Sequence, residues 1–404
     1  MLSLLTFVSP IIGLVIILVY MAYYFNKPIP NNIKKLTIPI AICVAQLGYV
    51  LPPGASDLAS YNSQLWMYKG SLFATFMSDT EKLYLRDWLM NFVGRSGDEK
   101  LLPYIVGFVT YGVVFYILFD MVDRNKEFLN TKEVALMTLI AIGIVLPTTA
   151  IGNVRNVTAY MLISFTTYRD MVQKKRNILT LLLYIVPIYL HGAAIFLLVI
   201  RILQVVIKRL GIWSLSIAIF LPTLINLAFA HINVMPGDLL QTGIQKAYYY
   251  LNWTDGGWAT AIQNSTSDKI SRVYGAFFLL FVLALIILSV KKKDGFRIID
   301  QPMVSYVFFV AVCALGCLYI TTGAFWRFEA VVVMLCPIYL VPIFKMHTRD
   351  IRLPIEILTI SVVMIFIVNI YLFTKTYNEI PMAGDYLVGN GFVIVRDIIR
   401  AVMY

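Results

Sequence analysis

Lys174-Lys-Arg-Asn-Ile-Leu-Thr-Leu-Leu-Leu-Tyr-Ile-Val-Pro-Ile-Tyr-Leu-His-Gly-Ala-Ala-Ile-Phe-Leu-Leu-Val-Ile-Arg-Ile-Leu-Gln-Val-Val-Ile-Lys-Arg209 is the stretch that decides how this chain is built. From 178 to 207 it is apolar almost throughout. That is enough for one tilted membrane-crossing helix, which needs about 20 residues. Basic clusters stand on both sides, however, and a single crossing would put one of them on each face. Lys and Arg collect in cytoplasmic loops, so a hairpin that turns near His191-Gly192 and leaves on its entry side removes the conflict. Non-helical backbone at that depth is tolerated only where it is buried in protein or lines a cavity, so the tip would mark a site. Arg201, on the returning arm, either faces that cavity or pairs with a carboxylate.

The rest of the chain agrees in character. Of 404 residues, 60% are apolar and 14% charged, with a mean hydropathy of +0.79, against about 25% charged in soluble domains. Disorder, a disulfide scaffold and an ordinary soluble enzyme are excluded together. The predicted fold is an all-α polytopic membrane protein with about 10–12 transmembrane segments, the half-membrane hairpin included. Other apolar runs lie at 4–25, 37–53, 101–122, 134–151, 211–231, 273–290, 303–322, 329–345 and 354–373, with a shorter one at 157–172. No basic residue precedes the first, which therefore reads as a retained span and not a signal peptide.

Charge placement gives sidedness. The net charge of +11 is spread between apolar runs, so it is a topology signal and not a nucleic-acid patch. The loops 26–36, 123–133, 173–178, 208–210, 291–300 and 345–353 hold 18 of the 33 basic residues in 50 positions. The loops 54–100 and 232–272 hold eight in 88. The first set is cytoplasmic, and both termini face outside. In the outer loop 54–100, Leu85, Trp88, Leu89 and Phe92 share a helical face, predicting a helix in the interface; the tail 386–404 has the same character. No repeat or low-complexity segment divides the chain, which reads as one domain, 1–404. Cys43, Cys313, Cys317 and Cys336 all lie in apolar segments and read as core thiols.

P-loop, dinucleotide, nucleophile-elbow and His-Glu-x-x-His motifs are absent, and no metal cluster or cofactor site can be argued. Polar residues at the outer ends of apolar segments remain, and at such depth they suggest function. Asp57 and Tyr61, four apart, share one face of a helix that Ser56 or Asp57 could cap. Arg155 and Arg327 each lie between two spans on the outer side, where guanidinium offers a bidentate fork to a diphosphate or snorkels to headgroups. Trp326 and Glu329 crowd beside Arg327. His191 is the hairpin tip, and Arg86, on the interfacial helix, is a further cation. The outer loop 245–258 carries aromatic and polar side chains suited to sugars or to an interfacial belt.

These features, in this order, resemble the EpsG/Wzy-type family of bacterial polysaccharide repeat-unit polymerases. The resemblance is carried by Asp57-x-x-x-Tyr61, by Arg155 opening a helix that ends in Lys174–Arg176, by His191-Gly192-Ala193, and by the late Arg327. It covers roughly residues 37–345, and Gly192 stands where the family often has Ser. It implies a GT-C-like glycosyltransferase at the outer face of the bacterial cytoplasmic membrane. Such an enzyme transfers a glycan from its polyprenyl diphosphate carrier onto a lipid-linked repeat unit, with no metal, cofactor or nucleotide sugar. Its partners are polyprenyl-diphosphate-linked glycans and membrane lipids, beside a flippase and a chain-length regulator. Arg155 and Arg327, with Arg86 behind them, would then stabilise the departing diphosphate. Asp57 and His191 are the candidate bases, Asp57 preferred. Tyr61, Trp326 and Glu329 complete the binding set. A lipid-linked oligosaccharide flippase and a ligase to a terminal acceptor are the rival readings.

Overall fold

The computed structural model describes residues 2–24, 27–50, 57–79, 82–145, 147–207, 266–292, 295–296, 302–318, 322–345 and 391–403. The chain is helical. In order come α1 (Leu2–Val8), α2 (Pro10–Tyr23), α3 (Thr37–Val50), α4 (Asp57–Gln64), α5 (Leu72–Ser78), α6 (Tyr84–Ser96), α7 (Leu101–Arg124), α8 (Thr131–Ile144), α9 (Pro147–Gly152) and α10 (Val154–Met171). Then follow α11 (Ile178–Leu190), α12 (Ile195–Ile207), α13 (Thr266–Val290), α14 (Pro302–Cys317), α15 (Thr322–Met334), α16 (Pro337–Lys345) and α17 (Gly391–Met403). Among the described residues a two-residue ladder, β1 (Lys291–Lys292) with β2 (Gly295–Phe296), interrupts them. The chain divides into two compact units: Met1–Asp79, Tyr84–Met161 and Cys336–Tyr404 form the first, Thr80–Leu83 and Leu162–Leu335 the second.

Unit 1 is built on α7. Among the described residues this is the helix long and apolar enough to cross a membrane by itself; Phe325–Met334 and Pro337–Lys345 reach that standard only together. At 1.5 Å per residue its 24 residues span about 36 Å. α3 lies antiparallel against it along a seam of small residues. A Cβ on Gly107 would come within 3.2 Å of Ala45 Cα, and one on Gly48 within 2.8 Å of the Pro103 carbonyl oxygen. Small residues at such crossings let two backbones approach closely.

The two ends of α7 differ in chemistry. At the Arg124 end, Lys34 pairs with Asp120 at 2.8 Å and Asp123 at 3.0 Å, and Arg124 with Asp120 at 2.7 Å. Lys126 donates to Asn31, Lys345 to Asn125, and Thr131 to the Lys27 carbonyl. The basic loops 27–36 and 124–131 and the end of α16 therefore gather there. At the Leu101 end, α6 and α17 pack together, and Tyr49 joins Asp98 (2.5 Å) to the fully buried Asp397 (3.0 Å).

Three predicted spans are broken in two. The run 4–25 becomes α1 and α2, 134–151 becomes α8 and α9, and 329–345 falls on α15 and α16. Pro10, Pro147 and Pro337 open the second helix of each pair: proline supplies no N–H to a preceding turn and fits at a helix start. Gln46 partly satisfies the first break by donating to the Thr6 and Phe7 carbonyls at 3.2 and 2.9 Å. The runs 211–231 and 354–373 lie outside the described residues.

Candidate functional site

In unit 2 the segment 178–207 is two helices joined by a turn. Asn177 caps α11 by accepting the Thr180 N–H at 3.2 Å. The helix ends where the His191 N–H bonds the Pro187 carbonyl, and Gly192–Ala194 form a single 3-10 turn. His191 is fully buried, and Gly192, Ala193 and Ala194 are buried with it.

The arms double back. Asp170, at the end of α10, accepts from Tyr184 on the first arm at 3.3 Å and from Arg201 on the second at 3.0 and 2.5 Å. A straight helix would hold residues 184 and 201 about 25 Å apart, so both can reach one carboxylate only if the chain reverses. Arg176 closes the cluster at 2.7 Å. Arg201, for which a cavity-facing role was open, pairs with this carboxylate. Pro187 cannot donate to Leu183, and the hydroxyl of Thr166 takes that carbonyl at 3.1 Å.

The tip leads directly to α15. Phe196, in the first turn of α12, meets Phe328 edge-on with ring centroids 6.1 Å apart. Phe328 lies between Arg327 and Glu329, all three half-buried, and Trp326 packs its ring against Phe325 at 5.1 Å. α13 presses on the same helix. A Cβ on Gly275 would stand 2.7 Å from Glu329 Oε1 and 2.9 Å from the Phe325 ring, so a larger residue there would displace the Glu329 carboxyl or the Phe325 ring. Unit 2 thus collects an arginine, a carboxyl and a tryptophan on one helix beside a buried histidine turn.

In unit 1 the structure brings Tyr61 and Arg155 together. The Arg155 guanidinium carbon lies 4.7 Å from the centroid of the Tyr61 ring, a cation–π contact, and Tyr61 is buried. Arg155 is the second residue of α10. Cations are normally favoured at helix C-termini, so an arginine in the first turn of α10 is an unusual placement. Asp57 opens α4, four residues before Tyr61; its side chain lies outside the described residues.

Arg86 is differently placed. Its Nη2 pairs with Asp79 at 2.7 Å and its Nε with Asp87 at 2.8 Å, all three side chains largely buried. A diphosphate would have to displace both carboxylates. Burial, outweighing the attraction of Arg86, pushes the Asp87 carboxyl up to about 6. The helix predicted there forms, but its buried face runs through Arg86, Leu89, Met90 and Val93, while Trp88 is 46% exposed. Asp79, Asp170 and Gly275 were missed from sequence. An isolated acid at the end of an apolar run, next to a basic cluster, was the available signal for Asp170. The outer loop 245–258 lies outside the described residues.

No known protein family, characterised protein or solved structure matches this chain.

Proposed function

We propose that the chain is a polytopic, GT-C-like protein of the bacterial cytoplasmic membrane that polymerises polyprenyl-diphosphate-linked oligosaccharide repeat units on the outer face. The observation that carries this reading is the doubled-back segment 178–207, with His191 buried at its turn and Phe196, five residues on, meeting Phe328 of the helix that bears Trp326, Arg327 and Glu329. Each arm has 13 residues, or about 20 Å. Entering from the cytoplasmic side of a hydrocarbon core about 30 Å thick, the hairpin stops short of the far face. The small-residue seam of α3 and α7 and the unlike ends of α7 support the membrane setting.

In the proposed reaction the acceptor hydroxyl gives its proton to a base, Asp57 or His191, and attacks the anomeric carbon of the donor. The bond from that carbon to phosphate oxygen breaks, and polyprenyl diphosphate leaves with the electron pair. Arg327, in unit 2, stabilises the charge that develops on it, and Trp326 and Glu329 contact the glycan; in unit 1, Arg155, oriented by Tyr61, is a second diphosphate-binding cation. Arg86 has no assigned part, because Asp79 and Asp87 already hold it. Complementation of a polymerase-deficient bacterial strain tests these assignments. Arg155→Ala and Arg327→Ala should each abolish the polymer ladder at unchanged protein level, and a normal ladder from either removes that arginine from the site.

A further inference from the structure

We infer that the cleft between α6 and α17 is a sugar-binding subsite that admits a pyranose ring of the glycan, an inference that rests on the glycosyl-transfer reading above. The cleft encloses about 240 Å³ and is lined by Leu72, Trp88, Asn91, Phe92 and Arg95 with Ala401 and Val402 from the C-terminal helix. That space is large enough to admit a six-membered sugar ring.

Its lining has the chemistry of carbohydrate recognition. Trp88 and Phe92, one turn apart, stack with centroids 5.6 Å apart and planes 20° from parallel, an aromatic pair beside which the C–H face of a sugar could pack. Asn91 is 3% exposed. Its amide nitrogen donates to the Tyr68 carbonyl at 2.6 Å and the Gly70 carbonyl at 2.9 Å. Both N–H groups are thereby used, and Oδ1 is the acceptor this side chain can offer. Arg95 brings its guanidinium, a group of hydrogen-bond donors, to the lining. α6 packs closely behind the cleft, since a Cβ on Gly94 would lie 2.9 Å from the Leu65 carbonyl oxygen.

An acyl chain is a poorer occupant. Phe73, Met77, Phe392, Val402 and Met403 are 71–76% exposed on α5 and α17 and form an apolar surface suited to the bilayer interface. The cleft differs by being lined by Asn91 and Arg95, whose Oδ1 and guanidinium a hydrocarbon occupant would leave without partners.

The test uses the full chain in lipid nanodiscs and saturation-transfer NMR with free glucose, galactose, N-acetylglucosamine, rhamnose and glucuronic acid. At least one sugar should receive saturation. The signal should fall at least fivefold in Trp88→Ala and Arg95→Ala and survive in Trp88→Phe. Val402→Trp, which narrows the mouth without touching the floor, should reduce it as well. Transfer from none of the sugars, or a signal unchanged in Trp88→Ala and Arg95→Ala, overturns the inference. Binding is read without turnover, so a chain that holds sugar but builds no polymer keeps the subsite and loses the polymerase. A polymerase whose acceptor KM is unchanged by Arg95→Ala keeps its activity and loses the subsite.

Discussion

α7 and the segment 178–207 are both long and apolar, yet one continues as a helix for 24 residues and the other turns back at His191. Hydropathy alone does not separate them. What differs is at their ends and in one buried acid. α7 starts next to α6 and ends among Lys34, Asp120 and Arg124, so its flanks are unlike. The other segment has basic clusters on both flanks, Pro187 to interrupt its ladder, and Asp170 to tie the arms. Apolar length sets what can be buried, whereas proline and the Asp170 ion pair accompany the reversal of the helix.

The largest expected effect is all-or-none. Single cysteines at 178 and 207 in a cysteine-free background should label from the same side of sealed vesicles, while cysteines at 101 and 124 should label from opposite sides. Opposite labelling of 178 and 207 would make the segment an ordinary span and erase the distinction.

Asp170→Ala comes next. It leaves Arg201, only 15% exposed in its side chain, without its carboxylate, and breaking a buried pair costs about 3–5 kcal/mol. Thermal unfolding in detergent should show a large loss, and cysteines placed on α11 and α12 should lose their cross-linking. An unshifted melting temperature would mean that the hairpin is held by packing alone.

On the α7 side, Gly107→Val should force α3 away from Ala45 Cα, with an overpacking cost of about 1–3 kcal/mol. Its readout is the same melting experiment, and unchanged stability would contradict the close seam.

The smallest effect is electrostatic. Because the Asp87 carboxyl is raised to about 6 in the fold, the folded state holds its proton more tightly than the unfolded chain. The stabilisation is complete below the ordinary aspartate value near 4 and is lost as pH rises through 6. It is on the order of 1 kcal/mol, so stability should increase modestly from pH 7 to pH 4.5. Asp87→Asn should flatten that part of the pH profile, and a profile that keeps its slope would assign it to another group.

The sequence made the long regular features legible. Residues 101–122 were predicted as a span, and α7 runs 101–124. The turn at His191-Gly192 followed from charge placement and falls where the helices separate. The breaks at Pro10, Pro147 and Pro337 were hidden because an apolar average does not register a missing N–H. Arg86 was read as a further cation for the diphosphate; Asp79, seven residues away, lies beyond the helical i, i+3 and i, i+4 neighbours that a sequence exposes, and the adjacent Asp87 holds its Nε as well. Gly275 gave no signal at all, since its importance comes from Glu329, more than fifty positions later.

The central claim is that a hairpin-built site moves glycans between lipid carriers. Purified protein incubated with a polyprenyl-diphosphate-linked repeat unit, with EDTA and no nucleotide sugar, tests it most directly. The account predicts a ladder of lipid-linked products that disappears in Arg327→Ala. No product from protein that still carries the lipid-linked unit across liposomes would contradict it and make the chain a flippase.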